Sequence, residues 1–129
     1  MKTSMKFAPL FAAVAAASAF AQVPAEVTPP AGNKAVLTLV GAGDLTYECK
    51  AVADKPGTFA WTFAGPNAKL LDANKKEVGK YYGGPTWESN DGSKVTGKQL
   101  AVAPGAAGSI PLQLVQANPA TGKGAMTDV

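Results

Sequence analysis

Along much of the chain apolar and polar residues alternate singly, the two-residue period of a half-buried β-strand. The clearest case is "LTYECKAV", where Leu45, Tyr47, Cys49 and Ala51 alternate with Thr46, Glu48 and Lys50. Before it, "AVLTLV" reads as a buried strand, and Gly41 to Asp44 supply a turn that joins the two into a hairpin. After it, "DKPGT" sets Pro56 and Gly57 where a tight turn wants a preset φ and then a positive one. "FAWTF" follows with Phe59, Trp61 and Phe63 on one side, an aromatic triplet that reads as core.

Gly65-Pro66 breaks that run before a short "AKLLD", and "DANKK" turns the chain toward "EVGKYY". Gly83-Gly84-Pro85 leads into "TWES", and Asn90 to Ser93 form another turn. From Lys94 to Val102 the alternation shifts phase around Gly97, as a bulge or a close backbone contact would cause. In "IPLQLVQA" Pro111 removes a ladder donor, so this segment is an edge strand or is bulged near its start. "NPATGKG" then turns into "AMTDV", a strand that would leave an unpaired sheet edge at Val129. About eight short strand candidates and no amphipathic helix predict an all-β domain, an antiparallel sandwich or barrel.

The first residues have a different pattern: Lys2 and Lys6, an apolar run from Phe7 to Ala17 interrupted by Pro9, then small Ala19 and Ala21 around Phe20. That is the layout of an export signal over residues 1–21, and it falls short of the roughly 20 apolar residues a membrane span needs. Export to the periplasm or the medium is expected, with no transmembrane segment in the mature chain. Residues 22–33, "QVPAEVTPPAGN", read as an extended lead-in, and 34–129 as one β domain of a size that buries one modest core.

Composition narrows the chemistry. All 12 basic residues are lysines, and the chain has no histidine and no arginine. Without imidazole there is no Ser-His-Asp or Cys-His arrangement and no His-ligated zinc. Without guanidinium there is no bidentate fork for phosphate, and the lysines are scattered, so nucleic acid is not an expected partner. The net charge is +3 with Lys2 and Lys6 counted, so the chain beyond the leader is close to neutral. Cys49, the only cysteine, is open to three readings: a buried small hydrophobe, a reactive thiol, or half of a disulfide.

"LVGAGDLT" resembles the opening of a dinucleotide loop, but Thr46 stands where the third glycine belongs and a strand follows in place of a helix. No cofactor is expected. Glu88 and Asp91 are the most suggestive carboxylate pair, since two acids with separated pKa values can hydrolyse glycosides. Acids beside a turn commonly cap backbone instead. Asp72, Asn74, Glu77 and Asp91 are oxygen donors for calcium in principle, but their spacing matches no calcium loop, and no metal is expected. Tyr81 and Tyr82 are adjacent and must point to opposite faces, so together with Trp87 they place at least one ring at a rim. Such a ring can stack on a glycan, a small aromatic ligand or an envelope protein.

The segments "VPAEVTPPAGNKAVLTLVGAG", "YEC", "AWTFAGPNAKLLD", "GGPTWE", "DGSKVTGK" and "SIPLQL" resemble the exported domain-of-unknown-function family 3455 over nearly the whole chain beyond the leader. The resemblance implies a single, mostly-β exported domain with no established activity; the dehydrogenase label sometimes attached to relatives has no glycine loop to support it here. Relatives usually have a histidine where Tyr81 stands and a tryptophan where Leu112 stands. They also continue past Val129 with further strands and a second cysteine. The resemblance therefore implies a chain cut short at its C-terminal edge, with the missing cysteine as the partner of Cys49. The expected function is non-catalytic binding through Tyr81, Tyr82 and Trp87, with a carboxylate hydrolase built on Glu88 and Asp91 as the alternative.

Overall fold

The computed structural model describes residues 22–129, so the expected export signal lies outside the described residues. The fold is all-β: one antiparallel sheet in which each strand pairs with its neighbours in sequence. The strands are β1 (Val40–Ala51), β2 (Phe59–Leu71), β3 (Glu77–Tyr82), β4 (Thr86–Ser89), β5 (Lys94–Ala103) and β6 (Leu112–Ala117). The sheet is open, with β1 and β6 at its two edges.

Six strands stand where about eight were expected, because two expected breaks are not breaks. Gly41 to Asp44 do not turn; they pair with Leu70 to Asn67 as part of β1. A Cβ on Gly43 would lie 2.2 Å from the Asn67 carbonyl oxygen, so the glycine marks a close approach of two strands. Likewise Gly65-Pro66 lies inside β2, where Pro66 pairs with Leu45. Proline is tolerated there because β3 reaches only to the Asn67–Tyr82 pair, leaving that side of β2 unladdered. The residue that upsets the β1–β2 register is Ala64, which has no partner between Phe63 and Gly65.

The phase shift in β5 divides into both of its expected causes. The bulge is at Leu100, between the pairs of Gln99 and Ala101. Gly97 is the close contact, since a Cβ there would lie 2.4 Å from a Val115 methyl. β6 is an edge strand, the first of the two expectations for this segment, and Pro111 stands just ahead of its first residue, Leu112. "AMTDV" is a turn, not a strand, and sends Met126 into the core. In the lead-in, Ala25–Val27 form one 3-10 turn whose Val27 is buried.

Directly opposed residues share a face, so the register sorts the sheet chemically. On one face, Leu45, Tyr47 and Cys49 of β1 oppose Pro66, Phe63 and Trp61 of β2. The same face continues through Ala68, Tyr81, Trp87 and Val95. The other face presents Thr46, Glu48, Lys50, Lys69, Lys80, Glu88 and Lys94. The buried apolar cluster is Leu70, Val95 and Met126, with Leu39, Tyr81, Trp87, Ala117 and Ala120 against them; Val27 and Ala103 are buried outside it.

The distal half of the β1–β2 hairpin projects past that core. Phe59, Trp61 and Phe63, expected inside, are 65%, 73% and 51% exposed. Cys49 is exposed on the same face, opposite Trp61, which removes the reading of a buried thiol. No helix among the described residues is long and apolar enough to cross a membrane.

Candidate functional site

The β3–β4 hairpin brings Tyr81 and Trp87 together as directly opposed residues on the apolar face. Their rings stack with centroids 4.9 Å apart and planes 14° from parallel, an offset arrangement that suits two aromatic quadrupoles. The three-residue turn Gly83 to Pro85 fixes this register, and the Thr86 hydroxyl ties it by donating to the Gly83 carbonyl at 3.1 Å. Both rings are half-buried against Leu70, Val95 and Met126.

Two cavities open on this face. The first, about 470 Å³, is lined by Leu37, Leu39, Leu70, Trp87, Val95 and Met126, and the second, about 850 Å³, by Tyr47, Phe63, Pro66, Val102 and Ile110. Tyr81 and Val115 line both, so the stacked pair stands at their junction. These volumes lie within the range of small-molecule sites. The walls are mainly apolar; Thr96 in the first cavity and Gln99 and Gln113 in the second bring polar side chains, and Tyr47 and Tyr81 add hydroxyls.

Tyr82 points the other way, as adjacency to Tyr81 demands, and so does not join the ring pair. Its hydroxyl donates to Glu88 Oε2 at 2.9 Å, diagonally across β3 and β4 on the polar face. Lys94, directly opposite Glu88, places its ammonium 3.5 Å from Oε1. The Tyr82 hydroxyl and the Lys94 charge together hold the Glu88 carboxyl below its ordinary pKa, and the same hydrogen bond raises the Tyr82 phenol.

Asp91 lies in the β4–β5 turn and works as a clamp. It accepts from the Ser93 hydroxyl, from the Ser93 N–H at 2.9 Å and, 34 residues along the chain, from the Ala125 N–H at 2.8 Å. Those donors, the Ser93 hydroxyl foremost, bring its pKa down to about 2. Ser93 is fully buried, and its Oγ accepts the Met126 N–H at 3.1 Å. The pair therefore pins the C-terminal turn to the sheet and seats Met126 in the core.

The carboxylate pair that suggested hydrolysis thus has two separate structural tasks. A two-carboxylate mechanism wants one acid held protonated by a raised pKa. Here both are lowered, Glu88 by its phenol and ammonium partners and Asp91 by its backbone and hydroxyl donors. Of the calcium-donor residues, Asp72 is turned inward on its own loop, accepting from the N–H groups of Asn74 and Lys76 at 2.8 and 3.0 Å. Glu77 pairs with Lys69 at 3.2 Å.

Sequence reasoning found Tyr81 and Trp87 but missed Leu37, Leu39 and Met126, which build the wall facing them. The pattern around Leu37 and Leu39 predicts a strand; no regular element forms there, and the one signal of their role is their spacing of two before a glycine-rich stretch. Met126 carried no signal at all, because its place depends on the distant grip of Asp91 and Ser93.

No curated protein and no solved structure matches the chain. The family model described as "Protein of unknown function (DUF3455)" matches residues 30–129, and the chain belongs to that family.

Proposed function

We propose that this is an exported, non-catalytic binding domain that takes a small apolar or aromatic molecule on the apolar face, with the Tyr81–Trp87 stack as its anchor. The observation that carries this reading is the position of Tyr81, whose ring packs on Trp87 while lining both cavities. A ligand entering either cavity meets an aromatic edge and aliphatic walls, so apolar burial supplies affinity and the few amides set orientation. A glycan fits less well, because sugar stacking needs an open ring face and one face of Trp87 is taken by Tyr81. Tyr82 contributes indirectly, holding the β3–β4 hairpin from the polar side through Glu88.

Titration with the apolar fluorophore N-phenyl-1-naphthylamine tests this. Saturable one-to-one binding is expected, with Trp87→Ala weakening it about tenfold. Trp61→Ala, which removes the more exposed indole of the projecting hairpin, should leave it within twofold. Unsaturable uptake, or equal losses in the two variants, would refute a defined site at the stack.

A further inference from the structure

β1 is one edge of the sheet, its residues are all exposed, and among the described residues it pairs with β2 alone. Such an edge carries unpaired N–H and C=O groups, and proteins ordinarily blunt it by shortness, proline, a bulge or charged side chains. Only the last is present here, as Asp44, Glu48 and Lys50. β1 runs from Val40 to Ala51 without proline, and the irregularity in its ladder, Ala64, is carried by β2.

The edge is two-sided in its chemistry: Leu45, Tyr47 and Cys49 lie on the apolar face, Asp44, Thr46, Glu48 and Lys50 on the polar one. A strand that extends the sheet must alternate in the same way, and β1 of a second copy does. An antiparallel two-fold pairing that keeps like faces together must centre on a single residue. Centring on Thr46 sets Asp44 opposite the second copy's Glu48, and centring on Glu48 sets two glutamates face to face; both oppose like charges. Centring on Cys49 matches Glu48 with Lys50 but overlaps only Tyr47 to Ala51, and centring on Leu45 matches no charges.

Centring on Tyr47 does both. It overlaps Gly43 to Ala51, opposes Asp44 to Lys50 twice over, and sets Leu45 across from Cys49. Lys50 is free to take this partner, because its present bridge to Glu48, at 2.8 Å, has both side chains more than half exposed and holds it weakly. We propose that β1 docks a second copy of this chain edge to edge and antiparallel, about a two-fold axis at Tyr47, with Asp44 of each copy opposite Lys50 of the other. The two apolar faces then run on as one, bringing the projecting aromatic hairpins side by side.

Sedimentation velocity over a concentration series tests the pairing. A reversible dimer is expected. Asp44→Lys and Lys50→Asp should each weaken it roughly tenfold by opposing like charges twice, and the double reversal should restore it. These exposed positions leave the fold intact, which far-UV circular dichroism on each variant checks. For the register, Tyr47→Cys in a Cys49→Ala background places two thiols across the axis. Diamide, by taking up their two hydrogens, should then join the chains by a disulfide, while Asp44→Cys in the same background stays uncrosslinked. A monomer at every concentration, a dimer indifferent to both reversals, or equal crosslinking at the two positions would overturn the proposal.

Discussion

The ring of Tyr81 lies flat on the indole of Trp87, centroid to centroid 4.9 Å, and that contact joins the small core to the open part of the apolar face. Stacked pairs of this kind add about 0.5–1.5 kcal/mol beyond the area they bury. Tyr81→Leu, Trp87→Leu and the double variant, compared by urea unfolding, should therefore show a coupling energy of about 1 kcal/mol. A coupling near zero would mean that the two rings contribute only separately, by burial.

Ser93 and Met126 make the second load path. Because Ser93 is fully buried and its Oγ both donates to Asp91 and accepts from Met126, Ser93→Ala strands the Met126 N–H and leaves Asp91 with its backbone donors alone. The expected cost is about 1–3 kcal/mol. It should fall locally first, on the turn that Asp91 and Ser93 hold. Trypsin cleavage after Lys123, which sits in that turn, should accelerate several-fold relative to cleavage after Lys55 in the β1–β2 loop. Mass spectrometry of the early digest reads the ratio directly.

The all-β class was legible because single-residue alternation is a local property that survives in any sheet. The strand count was less so, since glycine and proline have two meanings. Gly43 marks two backbones in close approach, and Pro66 sits where β3 has already ended; neither turns the chain. Alternation also says which face a side chain takes, but not whether that face is covered. Phe59, Trp61 and Phe63 share a face as expected and still stand in solvent, because nothing local encodes what lies opposite. The split of Tyr81 from Tyr82 was readable for the same reason that the grip of Asp91 on Ala125 was not: one follows from adjacency, the other from a contact across 34 residues.

Asp91 makes stability depend on acid. Its folded pKa, about 2, lies below the value of about 3.9 for an unfolded aspartate, so the folded chain binds the proton less readily. The stabilisation it gives is complete above about pH 4 and fades as pH falls toward 2. Glu88, also lowered, acts in the same direction. Urea midpoints measured from pH 5 to pH 2 should fall more steeply for the natural protein than for Asp91→Asn, with the gap closing at the acid end. Parallel curves would remove Asp91 as a source of the slope.

Gly41 and Gly43 offer a direct test of why the chain has glycine in the middle of a long strand. Nothing lies within 4 Å of a Cβ built on Gly41, whereas one on Gly43 would meet the Asn67 carbonyl and the Ala68 backbone at 2.2 and 2.5 Å. Neither residue has a positive φ, so backbone conformation does not separate them. Gly43→Ala must push β1 away from β2 and should cost about 1–3 kcal/mol, the range of an overpacked interior. Gly41→Ala should be neutral or slightly stabilising, since it restricts the unfolded chain without meeting an obstacle. Chemical denaturation of the two variants separates the cases. Equal, large losses would point to the sharp turn that the glycines suggest when read without their neighbours, and would count against the continuous strand from Val40 to Ala51 on which the edge pairing depends.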